Sequence, residues 1–234
     1  MRILAFDSSA KVASAAVTED GEIKSEIFTN TGLTHSQTLL PMADAALKGA
    51  GVTLDDIDCI AVNNGPGSFT GVRIGVAAVK GLAQMRNIPC VGISTLEALA
   101  YNLSGTDCTA VCAMDARCAQ IYTAAFSVTQ SEIKRLTEDE AVAIKDIEES
   151  LKNFAQPVIF VGDGAKLCYN HYKDKLDCRL AGEFLRYQRA SSTALCAFAY
   201  YQKGETVAAR ELMPLYLRLP QAERELRKRE ENSK

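Results

Sequence analysis

Two aspartates stand where apolar runs stop. Arg2–Phe6 ends at Asp7, followed by Ser8-Ser9, and Ala110–Met114 ends at Asp115, followed by Ala116-Arg117. A carboxylate at the carboxyl end of a buried strand is placed to hold a divalent cation or orient a phosphate. A turn that closes on phosphate oxygens, however, favours glycine close behind the aspartate, so that the backbone can approach the anion, and neither turn has one. Asp7, Ser8, Ser9, Asp115 and Arg117 are therefore candidates for a cleft between two halves of the chain, with turn or capping hydrogen bonds as the alternative role for both carboxylates. The third candidate is Gly65-Pro66-Gly67-Ser68-Phe69-Thr70-Gly71-Val72-Arg73-Ile74-Gly75, a glycine-rich turn feeding a helix, where free N–H groups and the helix dipole can hold an anion. It lacks the Gly-Lys-Ser/Thr ending of a Walker loop. Gly71 and Gly75, one turn apart and continued by Ala78 and Leu82, make a smooth stripe that suits close helix packing better than phosphate.

The remaining reactive side chains point to no self-contained centre. His35 and His171 are far apart; His35 has no histidine or acid nearby and suits a capping or interface hydrogen bond, and His171, between polar residues, suits the surface. No base is placed by sequence to activate Ser68 or Ser94. The eight cysteines are scattered among apolar neighbours and read as buried reduced thiols. Cys108 and Cys112 share one face of a strand about 13 Å apart, too far to share a metal.

The elements that must position these residues follow from period and punctuation. Arg2–Asp7, Ala13–Thr18 and Ile23–Thr29 are strands, with Asp20-Gly21 as a hairpin turn. Thr34 or Ser36 can cap a helix whose apolar positions Leu39, Leu40, Ala43, Ala46, Leu47 and Ala50 fall at helical spacing before Gly51. Ile57–Asn63 is a strand, Thr70–Arg86 a helix, and Cys90–Ile93 a strand with a helix after it. After Ser104-Gly105-Thr106-Asp107 the pattern restarts with strands Ala110–Met114, Gln120–Phe126 and Glu132–Leu136. A helix over 145–154, the strand Val158–Val161 closed by Gly162-Asp163-Gly164, and a helix over 192–203 complete it. This order describes an α/β chain of two related subdomains, 1–103 and 104–220, each with a mixed sheet flanked by helices. It matches the ribonuclease-H-like unit of the actin-like (ASKHA) superfamily. Residues 221–234 form a charged tail.

Composition bounds the rest. The 234 residues, 47% of them apolar, can bury a substantial core, and the net charge of −3 leaves no broad basic surface for a stand-alone nucleic-acid binder. No stretch reaches the roughly 20 apolar residues of a membrane helix, and the opening run is too short for a signal sequence, which points to the cytoplasm and no membrane partner.

Several separated motifs, in order, resemble the TsaB (YeaZ) family. They are Asp7-Ser8-Ser9, His35-Ser36-Gln37 with Leu39-Leu40-Pro41, Asn64–Gly75 through Gly81-Leu82-Ala83, and Val91–Leu99. Met114-Asp115-Ala116-Arg117 with Tyr122 and Pro214-Leu215-Tyr216-Leu217-Arg218 complete the set. The resemblance implies a non-catalytic accessory subunit that binds a catalytic paralogue, TsaD, and with it a small ATPase, TsaE. That assembly transfers threonylcarbamoyl from its adenylate to N6 of the adenosine beside the anticodon in tRNAs reading codons that begin with A. It implies that tRNA is met only through the complex, that ATP and metal sit on the partner subunits with no cofactor held by this chain alone, and that the chain forms a homodimer when alone. The paralogue's metal-binding His-x-x-x-His falls at Thr95-Leu96-Glu97-Ala98-Leu99, where Thr95 and Leu99 replace both ligands. The partner interface implied is a helical bundle built from Leu39, Leu40, Ala43, Ala46, Leu47, Gly71, Gly75, Ala78 and Leu82. On this reading a bulky residue at Gly75 should weaken partner binding. The rival reading is a small-molecule kinase or ATPase with Mg²⁺ held by Asp7 or Asp115.

Overall fold

The fold is given by a computed structural model that describes residues 1–218. The charged tail, 221–234, lies outside the described residues. In the first half, β1 (Arg2–Asp7), β2 (Ala13–Glu19) and β3 (Glu22–Thr29) form an antiparallel meander; α1 (His35–Ala50) follows. Then come β4 (Cys59–Gly65), α2 (Phe69–Gln84), β5 (Cys90–Ser94) and α3 (Thr95–Tyr101). The sheet order is β3-β2-β1-β4-β5, with β1, β4 and β5 parallel.

The second half repeats the plan. It contains β6 (Cys108–Asp115), β7 (Gln120–Val128), β8 (Ile133–Arg135), β9 (Glu140–Ala143), a 3₁₀ turn over Ile144–Ile147, and α4 (Glu148–Asn153). β10 (Val158–Val161), α5 (Ala165–Tyr172), β11 (Cys178–Leu180), α6 (Glu183–Arg186) and α7 (Ala190–Gln202) follow. Its order, β11-β10-β6-β7-β8, is the same path with β6 in the place of β1 and β10 in the place of β4, and β9 adds to β7.

Strand alternation builds the layers. On β1, Leu4 and Phe6 face α1 and α2, whereas Ile3 and Ala5 face α7. On β6, Cys112 and Met114 face α3, and Val111 and Ala113 face the α4–α5 side. Helices α3 and α7 thus lie between the two sheets. Although it comes late in the chain, α7 packs on the first sheet, so the division at 103/104 does not hold for it. Residues 205–218 return the same way as an extended strap. Val207 bridges Cys90 on the edge of β5, and the Lys80 ammonium on α2 donates to the carbonyls of Arg210 and Leu212.

Three local expectations change. The helix over 145–154 is split, with its first turn 3₁₀ and β9 ahead of it pairing with β7. Elements α5, β11 and α6 were not anticipated. Thr34 occupies the N-cap of α1 without a side-chain cap, and helix entry is fixed instead by His35, whose Nε2 donates to the Ala10 carbonyl at 2.8 Å.

Candidate functional site: a cleft rim and a two-helix face

The strand-end turns of both halves meet the glycine-rich loop at one cleft of about 680 Å³. Ser9, Asp115 and Arg117 line it; Asp7 and Ser8 do not. Asp7 is fully buried, and its carboxylate accepts from Ser9 N and Oγ at 3.0–3.2 Å and from Asn63 Nδ2. Asn63 in turn accepts from Thr193 Oγ1 at 3.0 Å, tying β1 and β4 to α7. Burial raises the Asp7 carboxyl above its usual range, against the lowering pull of the Asn63 and Ser9 hydrogen bonds. Asp7 is a structural turn residue sealed from the cleft.

Ser8 and Ser9 also account for the glycines. Ser8 Oγ donates to the Gly71 carbonyl at 2.9 Å, and a Cβ on Gly71 would overlap the Ser8 carbonyl oxygen. A Cβ on Gly75 would come within 2.6 Å of Ser8 Oγ, and Ser68 N donates to Ser9 O at 2.6 Å. The β1–β2 turn is therefore seated against the start of α2, where an anion would otherwise approach. The stripe serves close packing, as the residue types suggested, but the body it admits is a turn rather than a second helix.

Opposite, Asp115 accepts from Arg117 N at 2.7 Å and remains exposed. Asp163, from the Gly162-Asp163-Gly164 turn after β10, lies beside it on the cleft floor and accepts from Gln188 Nε2 at 3.1 Å. Burial, together with the Asp115 charge, pushes the Asp163 carboxyl up to about 6. Lys11 and Asp163 lay outside the sequence-derived candidates, and Phe69, Tyr122, Tyr216 and Arg218 entered only as loop or motif residues; all six line this cleft.

Ser68 and Ser94 cap α2 and α3, accepting from Gly71 N and Glu97 N. Thr95 and Leu99 are both buried on α3. Among the described residues no three histidine, cysteine or carboxylate side chains could hold a metal, and no helix is long and apolar enough to cross a membrane. The cysteines are all unpaired; Cys59, Cys90, Cys108, Cys112, Cys168 and Cys196 are buried, Cys178 is partly buried and Cys118 exposed.

The expected partner face needs correction. Leu39, Ala43, Ala46, Gly71 and Gly75 are buried within the first half, against β2, β4 and the Ser8 turn, because the apolar stripe of each helix is used by its own sheet. Gly75 therefore cannot report on a partner. What α1 and α2 leave outward is Leu40, about half exposed, with Leu47, Ala78 and Leu82 partly covered. Ile74, Ala77 and Gly81 extend this strip, and none of the described residues lies within 4 Å of a Cβ built on Gly81.

Two ribonuclease-H-like units in tandem, with strand-end turns facing each other across a cleft, define the actin-like class. Within it the chain matches the family described as "TsaD: tRNA N6-adenosine threonylcarbamoyltransferase" over residues 29–226. It is 33% identical over 222 residues to the tRNA threonylcarbamoyladenosine biosynthesis protein TsaB of Escherichia coli, covering 93% of this chain and 95% of that protein. It is 32% identical over 224 residues to TsaB of Bacillus subtilis, covering 95% and 96%. The solved structure of YeaZ from Pseudomonas aeruginosa superposes with a TM-score of 0.76 at 28% identity, covering 92% of this chain and 99% of that one. The chain belongs to the TsaB family of tRNA threonylcarbamoyladenosine biosynthesis proteins, as its motifs implied.

Proposed function

We propose that the chain is a non-catalytic accessory subunit that presents the outer strip of α1 and α2 to a TsaD-like catalytic paralogue and, with a TsaE-like ATPase, serves threonylcarbamoyl transfer from threonylcarbamoyl-AMP to N6 of the adenosine beside the anticodon. The observation that carries the partner surface is Gly81. A glycine in a helix is less stable than alanine by roughly 0.5–1 kcal/mol, and at Gly71 and Gly75 internal contacts account for it. At Gly81 nothing among the described residues does. With Ala77 exposed one turn earlier and Leu40 and Leu47 on α1, it forms a shallow apolar strip that another helix can approach closely. Without the paralogue the same strip pairs two copies of this chain, giving a homodimer that competes with the working heterodimer.

The accessory reading is supported by the cleft chemistry. The Asp7 carboxylate is committed to Ser9 and Asn63, and the Ser8-Ser9 turn fills the approach to α2. ATP and the metal are accordingly assigned to the partner subunits, tRNA is met through the complex, and the assembly works in the cytoplasm. The test is the solution mass of the full chain alone and mixed with its catalytic relative, with modification activity measured on each sample. A homodimer that converts to a heterodimer, with activity only in the mixture, is expected, and Gly81→Leu should weaken the heterodimer at least tenfold. A chain that ignores the relative and turns over ATP alone overturns the proposal in favour of a kinase-like enzyme.

A further inference from the structure

Three cations line the cleft from three separate segments, Lys11 from the β1–β2 turn, Arg117 from the β6–β7 turn and Arg218 from the strap, and a fourth, Arg73 from α2, packs on the cleft-lining Phe69. Among the described residues none of the four makes an ion pair, whereas many cations elsewhere are matched, such as Arg2 with Glu19, Arg135 with Glu97 and Asp139, and Arg189 with Glu26. Beside them stands an aromatic pair, Phe69 and Tyr216, stacked with centroids 4.8 Å apart. The Arg73 guanidinium lies 3.8 Å from the Phe69 ring centre, and its Nε donates to Tyr216 Oη at 2.7 Å, which holds the stack in place; Tyr216 remains 40% exposed. Arg218 donates to the Ala116 carbonyl at 2.8 Å and so anchors the strap across the mouth.

We propose that this rim binds single-stranded RNA, with the cations following the phosphodiester backbone and the Phe69–Tyr216 pair offering a platform for a base. The polarity of the cleft orients such a ligand. Lys11 and Arg117 are exposed, whereas Asp163 is set deeper in the lining beside the exposed Asp115; a carboxylate there repels phosphate and accepts hydrogen bonds from the amino groups of a base. A polynucleotide fits better than a free nucleotide because the backbone cradle that a mononucleotide phosphate uses is occupied: Ser68 N is bonded to Ser9 O, and the Ser8 turn lies against Gly71. Side-chain cations spread over several segments instead match a backbone that runs past them. Within the function proposed above, on which this assignment rests, the ligand is a loop of the tRNA being modified.

The test uses the full chain and its heterodimer with the catalytic relative. Binding of a fluorescent anticodon stem-loop RNA is followed by anisotropy over a salt series, and heterodimer mass is measured on the same samples. Arg117→Gly removes a charge while leaving a residue better suited to its left-handed backbone (φ 64°), so the fold is kept. It should weaken RNA binding and flatten the slope of log affinity against log salt by about 0.7, the value for one single-strand phosphate contact. Tyr216→Ala should weaken binding about 5- to 150-fold, the range for one base stack, and Tyr216→Phe should retain it. Lys134→Ala, which removes an exposed cation on β8 that makes no ion pair among the described residues, is the control and should change nothing. Unchanged RNA affinity in Arg117→Gly and Tyr216→Ala with the heterodimer intact overturns the RNA site and leaves the accessory function standing. Displacement of the RNA by AMP at equal affinity overturns it in favour of a nucleotide pocket. Absence of the wild-type heterodimer overturns the accessory function itself.

Discussion

Gly75 and Gly81 lie six residues apart on the same helix, and the structure assigns alanine opposite effects at the two positions. At Gly81 an added Cβ meets none of the described residues within 4 Å, so the substitution should stabilise the isolated chain by the helix-propensity difference, about 0.5–1 kcal/mol. For a chain of this size that raises the melting temperature by about 1–4 °C. At Gly75 the Cβ would stand 2.6 Å from Ser8 Oγ and 3.1 Å from Val62 Cγ2, a crowding that costs about 1–3 kcal/mol in a packed core. If Ser8 is pushed away from the Gly71 carbonyl, a buried hydrogen bond is lost as well, adding about 1–3 kcal/mol. The propensity gain offsets under 1 kcal/mol of this, and with both terms present the net loss is about 1–5 kcal/mol. Urea unfolding of both variants, over a series of protein concentrations because self-association links stability to concentration, measures the difference. Gly75→Ala as stable as wild type would refute the seating of the Ser8 turn against α2. Gly81→Ala destabilising the dilute chain would show that an internal contact requires this glycine, and the partner strip would lose its main support.

Two further perturbations act on buried charge. Asp163 titrates near 6 in the folded chain against 3.8 for a free carboxyl, so between those values the folded state holds more protons than the unfolded one and stability falls as pH rises. The difference in unfolding free energy between wild type and Asp163→Asn should therefore drop, by up to about 3 kcal/mol, from pH about 4 to pH about 7; a flat or rising difference refutes the burial assigned to Asp163. Glu26 on β3 is nearly buried and accepts from Arg189 Nε, Ser191 N and Ser191 Oγ at 2.9–3.1 Å, joining the first sheet to the start of α7. Glu26→Ala strands these donors and should cost about 2–4 kcal/mol, with Glu26→Gln intermediate; chemical denaturation showing no loss would mean that α7 is held by its apolar face alone.

How much of this was legible depends on whether an element's partners are near it in sequence or unusually apolar. β1, β2, β4 and β6 are buried on both faces or turn through short loops, and their runs of apolar residues announce them. Helix α5 buries only Ala165, Cys168 and Tyr172, a stripe too thin to stand out among Lys166, Asn170 and His171, and β11 is three residues long and pairs with β10. β9 is a strand solely because Gln120–Thr123 lies opposite it.

The sites divide in the same way. A stripe of glycine and alanine on a helix shows that something approaches closely, but not from which side, and the body that meets Gly71 and Gly75 comes from a turn more than sixty residues earlier in the chain. The amphipathic period likewise marks Leu39, Ala43 and Ala46 as apolar without saying that their own sheet consumes that face, so an interface drawn from period alone falls inside the core. The discriminating signal in the sequence is the residue that spoils the pattern: Gly81, with Ala77 before it, continues the small-residue run onto the side of α2 that points away from the sheet. The same holds for the cleft. Asp7 is the more conspicuous aspartate, yet it is Asp115, followed by a cation and a left-handed turn, that faces solvent beside Arg117. A polar residue at a strand end becomes a site when the chain leaves its hydrogen-bonding capacity unmet, and only the arrangement of Ser9, Asn63 and Thr193 around Asp7 reveals that one aspartate is satisfied and the other is open.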